Sequence, residues 1–253
     1  MSGALRVERH AAYVLATLDR PERRNAIDQA TIDDLHALCD ELEAAPATLV
    51  LTGAGGVFAG GADIAQLRER RAADALRGIN ATAFARVHAL PMPVIAAIEG
   101  FALGGGAELA FAADIRIASP TLRLGNPEPG LGILAAAGAT WRLPEIAGHA
   151  VAADLLLTAR IVDADEALRL GIVSRVVDDP LAEAVATAER IATLDAQAVR
   201  ATKRALAAPR DQHPRVDCEE QAVLFESPGK ERRMTEFLER PSKAARASAE
   251  ANR

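Results

Sequence analysis

Apolar and polar positions fall into two regimes along the chain. Over the first part, short apolar or alternating runs bounded by Gly, Pro or Asp recur at 14–18 (VLATL), 48–52 (TLVLT), 93–98 (PVIAAI) and 115–118 (IRIA), the pattern of sheet strands. Between the first two runs, Ile32, Leu35, Leu38 and Leu42 follow helical spacing behind Asp28, a candidate N-cap. Residues 63–90 are charged, alanine-rich and mostly helical in pattern. From about residue 135 helical patterns dominate, over 136–147, 149–158, 163–170, 181–207 and 216–238, with one strand at 172–177. The prediction is an α/β fold, with a sheet-forming domain over 1–195 and a helical region over 196–253.

One apolar segment breaks this pattern in a chemically suggestive way. GFALGGGAELAFAAD, residues 100–114, sets three consecutive glycines beside a single carboxylate, Glu108. A tight turn from a strand ending at Ile98 into a helix from about Gly105 explains the glycines by backbone freedom alone. A helix opening at Gly105 also presents an unpaired amide, with no side chain to hold a ligand oxygen away. Glu108 stands one turn further on the same face. It is the one polar residue of an otherwise apolar helix, so burial is expected, and a buried carboxylate needs a reason.

Two further segments add to this. In LGNPEPGLG, residues 124–132, Glu128 is flanked by two prolines, which predicts a fixed loop and no helix. Paired with Glu108, it suggests two carboxylates in one desolvated site for acid–base chemistry. In FAGGADI, residues 58–64, the small residues Gly60, Gly61 and Ala62 expose backbone amides at another helix start, offering a second donor.

Composition narrows the remaining classes. The 253 residues suffice for a sizeable core. Asp and Glu number 35 against 29 Lys and Arg, a formal charge of -6, without the basic excess that nucleic acid or an anionic membrane would require. The window 93–118 is long enough to span a bilayer but carries Glu99, Glu108, Asp114 and Arg116, so it reads as buried core. Cys39 and Cys218 have no paired spacing, against a disulfide framework or a zinc site. MSGALRVERH places charges where a signal peptide has its apolar core, so a cytoplasmic protein is expected. No GxSxG, HExxH, GxGxxG or Walker-type motif occurs, and the five histidines lie outside the segments above.

Five blocks in order, LDRPERRNAID, VLTGAGGVFAGGADI, PMPVIAAIEGFALGGGAELAFAADIRIAS, LGNPEPGLGILAAAGATWRL and GIVSRVV, give a chain that resembles the crotonase superfamily, the enoyl-CoA hydratase and isomerase family, from about residue 5 to 241. The resemblance implies a crotonase-like spiral of ββα units and a helical C-terminal part that builds trimers or dimers of trimers. It implies an acyl-CoA thioester as substrate and no metal or redox cofactor. The amides of Ala62 and Gly105 fall at the family's oxyanion hole, and Glu108 and Glu128 at its two catalytic glutamates, with the acid and base roles left open. Arg23, Arg24, Gly60, Gly61, Asp63 and Ile64 match segments along the CoA path, Leu131 and Ala136 further substrate-binding positions, the Ala136 amide one that can hold the catalytic water, and Phe225 and Lys243 positions that close the pocket or reach CoA. The implied activity is addition of water to a 2-enoyl-CoA. A 3-enoyl-CoA to 2-enoyl-CoA isomerase and a catalytically weak acyl-CoA-binding protein are the alternatives. Three departures stand out. Gly56 and Ala65 occupy places where hydratases often have lysines, AAAGATWR at 135–142 replaces the usual PGAGGTQR, and Pro129 removes an amide next to Glu128.

Overall fold

In the computed structural model, which describes residues 3–239, the main sheet has six strands. Their order is Leu5–Arg9, Tyr13–Leu18, Thr48–Gly53, Val94–Ile98, Ile115–Ala118 and Arg175–Val176. The first pair is antiparallel and every later pair parallel. Covered on both faces, the central strands read as continuous apolar runs rather than alternating ones. Leu49, Leu51, Val94, Ala96 and Ile98 project into the larger core with Ile32, Leu35, Leu38 and Leu42 of the helix Gln29–Ala44. Val50, Ile95, Ala97 and Ile117 project the other way, against Ala184 and Ala188 of the helix Pro180–Ala192. Asp28 caps the first of these helices, its carboxylate accepting from the Thr31 N–H at 2.9 Å.

A second sheet joins Phe101–Leu103, Arg123–Gly125 and Val162–Asp163. The stretch after Ile98 is therefore a strand as well as a turn. The chain leaves the main sheet at Gly100, whose φ is +60° and whose absent β-carbon would stand 2.4 Å from the Gly56 carbonyl oxygen. Strands of two or three residues are too short for alternation to show.

The long helical patterns break at capping signals. Residues 181–207 fall into Pro180–Ala192 and Ala196–Ala207, the second capped by Asp195. Residues 216–238 fall into Arg215–Phe225 and Pro228–Leu238, where Ser227 caps and Pro228 takes the first turn. The region 63–90 forms three helices, Ile64–Glu69, Ala72–Arg77 and Ile79–Ala89. The helix expected from residue 136 begins only at Ala139, and the strand at 172–177 shortens to Arg175–Val176.

The chain divides into two compact units between Leu194 and Asp195. The first carries both sheets. The second is helical and exposes Val223, Phe225, Met234, Phe237 and Leu238. Among the described residues no helix is long and apolar enough to cross a membrane.

Candidate active site

The helix Gly105–Phe111 is buried along its whole length, and Gly104 before it turns the chain with φ +51°. Its first intrahelical bond runs from the Glu108 N–H to the Gly104 carbonyl at 3.0 Å, which leaves the Gly105 N–H without an intrahelical acceptor. Across from it lies Ala62. The bridge between Ile27 and Ala62 uses the Gly61 carbonyl, which accepts from Ile27 at 2.8 Å, and the Asp63 N–H, which donates to Ile27 at 2.9 Å. The Ala62 N–H is turned the other way. A β-carbon on Gly105 would stand 3.5 Å from the Ala62 nitrogen and 3.7 Å from Asn80 Nδ2, so donors from three elements surround one small space.

Glu108 borders that space and is only 3% exposed. Its Oε1 accepts from the Ala137 N–H at 2.6 Å and the Ala139 N–H at 3.2 Å. Gly138, with φ +148°, lets the two amides converge, in a conformation that a side chain rarely adopts. Burial pushes the Glu108 carboxyl up to about 7, against the pull of these amides and with help from nearby Glu128.

Glu128 opens a short 3-10 turn, Glu128–Leu131, where the prolines predicted an irregular loop. Proline's fixed φ suits such a turn, and Pro129 stands at its start, where a missing N–H costs no internal bond. The Glu128 side chain is buried. Its Oε1 accepts from Asn126 Nδ2 at 3.5 Å, while Oε2 has no hydrogen-bond partner. Burial raises this carboxyl too. Asn126 also donates to the Gly104 carbonyl at 3.3 Å, tying the turn to the start of the Glu108 helix.

A cavity of about 670 Å³ brings Ala62, Gly105, Glu108, Glu128 and Ala136 together. Arg70, Asn80, Ile133, Leu134 and Ala137 share its wall and were not singled out from the sequence. Asn126, two residues before Glu128, was likewise not anticipated. Leu131, expected among the substrate-binding residues, is 58% exposed and does not line the cavity. The turn ends at Gly132, φ +73°, and it is the next two residues, Ile133 and Leu134, that line the cavity, while remaining 40% and 68% exposed.

Arg23, Arg24, Gly60, Gly61, Asp63 and Ile64 also lie outside the cavity lining, but they are neighbours of one another. Arg23 pairs with Asp63 at 3.4 Å, and the Arg24 carbonyl accepts from the Gly60 N–H at 2.8 Å. Asp63 caps the helix Ile64–Glu69, and the Gln66 amide holds its carboxyl below the usual range. Phe225 belongs to the second unit, and Lys243 lies outside the described residues. Among the described residues, no three His, Cys, Asp or Glu side chains are grouped so as to hold a metal ion.

A mostly parallel sheet, a small second sheet carrying a glycine-led helix and two buried glutamates over one cavity together define a crotonase-type protein. The chain belongs to the enoyl-CoA hydratase/isomerase family, whose model matches residues 8–244. It is 35% identical over 245 residues to the crotonyl-CoA hydratase of Syntrophomonas wolfei, covering 92% of this chain and 94% of that one. It is 41% identical over 191 residues to the short-chain-enoyl-CoA hydratase of Clostridium acetobutylicum, covering 74% and 72%. The crystal structure of enoyl-CoA hydratase from Bacillus anthracis superposes with a TM-score of 0.89 at 30% identity, covering 93% and 96%.

Proposed function

We propose that the protein is an enoyl-CoA hydratase that adds water across the 2,3-double bond of a 2-enoyl-CoA thioester to give the 3-hydroxyacyl-CoA. The observation that carries this is the pairing of two buried carboxyls, Glu108 and Glu128, over one cavity that also holds the amides of Ala62 and Gly105. The two amides receive the thioester oxygen and draw electron density from C3, which becomes the electrophile. A water held between the glutamates attacks C3 and gives a proton to one carboxylate. The resulting enolate, its charge on the thioester oxygen, takes a proton at C2 from the other carboxyl. We assign the base to Glu108, because two backbone N–H donors favour its ionised form, and the acid to Glu128, whose unpaired Oε2 lies buried. The pair returns to its starting state when the two exchange a proton through solvent.

Arg23, Arg24 and the segment from Gly60 to Ile64 would hold the nucleotide end of CoA, with guanidinium groups suited to phosphate. The exposed apolar side chains of the second unit, Val223, Phe225, Phe237 and Leu238 among them, support self-association, and the family points to trimers or dimers of trimers. The reaction calls on no metal or redox group, since both proton transfers are covered by side chains of this chain.

The test is turnover of crotonyl-CoA followed by the loss of enoyl-thioester absorbance, with the product weighed. A mass gain of one water supports hydration. A rearranged double bond with 3-enoyl-CoA and no mass gain would establish the isomerase instead, and binding without turnover would leave only an acyl-CoA-binding protein.

A further inference from the structure

Beyond the two glutamates, the cavity lining is not purely apolar. Arg70 follows the helix Ile64–Glu69, lines the cavity and is half-buried. Its neighbours in sequence have partners: Arg68 pairs with Glu69 at 3.0 Å, and Arg77 with Asp74 at 3.5 Å. Asp74, the acidic side chain on the same wall, is further engaged by the Arg71 N–H at 3.0 Å. Among the described residues no carboxylate pairs with Arg70. Its side-chain bond is to a neutral group, from Nη1 to Asn80 Oδ1 at 3.1 Å. A half-buried guanidinium with one amide acceptor keeps most of its donors free for a bound anion.

Asn80 also sets where this cation stands. Its Oδ1 faces Arg70, while its Nδ2 lies 3.7 Å from the β-position of Gly105, beside the space assigned to the thioester oxygen. The guanidinium is thus one carboxamide away from that space, within reach of the far end of a short acyl chain. Leu67, Ile79, Ile133 and Leu134 supply the apolar wall for the intervening methylenes. The residues assigned to the CoA nucleotide, Arg23 and Arg24, lie outside this cavity, so its phosphates have other cations to meet.

We propose that Arg70 makes this a site for CoA thioesters whose acyl chain ends in a second carboxylate, held by the guanidinium fork. The inference rests on the acyl-CoA reading of the cavity and adds the class of acyl group. A carboxylate accepts two parallel N–H bonds from a guanidinium, which a terminal methyl cannot do.

Binding tests it without requiring turnover. The dissociation constants of hexanoyl-CoA and of its counterpart with a carboxylate in place of the terminal methyl are measured by calorimetry for the full-length protein, Arg70→Met and Arg70→Lys. The unaltered protein should bind the carboxylated ester at least about tenfold more tightly, the scale of one desolvated charge-assisted hydrogen bond. Arg70→Met should erase that ratio, and Arg70→Lys should keep part of it, having charge without the fork. Equal affinity of the unaltered protein for the two esters overturns the proposal. So does a loss in Arg70→Met that is the same for both, which would assign the guanidinium to the CoA portion. The hydratase reading is judged separately, by the mass of the crotonyl-CoA product, so either can fail alone.

Discussion

Gly104 lies against the carboxyl of Glu128: a β-carbon on it would stand 2.9 Å from Oε1 and 3.5 Å from the carboxyl carbon. The glycine thus serves two needs at once, a φ of +51° at the head of the Glu108 helix and room for the other glutamate. Gly104→Ala should lower stability by about 1–2 kcal/mol through left-handed strain. It should also reduce kcat, because Glu128 is displaced. Thermal unfolding and turnover on one preparation check both, and unchanged turnover would show that Glu128 has freedom to shift.

Gly105 presents the opposite case. Its φ is ordinary, and a β-carbon would make van der Waals contacts at 3.5 Å and beyond, so Gly105→Ala should fold as well as the unaltered protein or slightly better. That methyl would nonetheless sit beside the Ala62 nitrogen, in the space assigned to the thioester oxygen. The expected loss in kcat is about a hundredfold or more, the scale of removing one oxyanion donor. A folded variant with near-native turnover would sink the oxyanion assignment.

Glu108→Gln and Glu128→Gln should each lower kcat by roughly two to four orders of magnitude. Because both carboxyls address one water and one thioester, the double variant should lose far less than the product of the single losses. Multiplicative losses in a double-mutant cycle would mean that the two act independently.

The raised Glu108 carboxyl has a signed consequence for stability. Its folded value is about 7 against an ordinary 4.5, so between these the folded protein holds a proton that the unfolded chain has released. Stability from this group is therefore full below about 4.5 and declines as pH rises through 7, by on the order of 1–3 kcal/mol. Glu108→Gln should flatten this decline, which denaturant titrations at pH 5 and pH 8 would reveal. In turnover, kcat/KM should rise as pH passes through about 7 and Glu108, the assigned base, ionises; a flat profile across that range would argue against this role.

Much of this site was legible without coordinates, and the reason is local. Gly105 and Glu108 lie one turn apart on one helix, so their spacing alone puts them beside the same ligand. The strands at 48–52 and 93–98 showed as unbroken apolar runs because both faces are covered. Asp28 was legible as a helix cap because its partner, the Thr31 N–H, stands three residues on, and Asp63 and Asp195, seen as caps only in the structure, follow the same rule. Prolines misled at Glu128, where proline's restricted φ permits a 3-10 turn as readily as a loop.

By itself, then, the chain determined the features that short-range periodicity and capping dictate: the α/β class, the apolar helix with one carboxylate, and the order of its motifs. Tertiary structure alone decided which amides hold Glu108, that Asn126 ties Glu128 to Gly104, and that Arg70 and Asn80 rather than Leu131 line the cavity. These relationships join residues tens of positions apart through backbone groups and reversals at glycines. No side-chain pattern encodes a main-chain N–H, and the direction of a chain after a left-handed glycine is set by what packs around it.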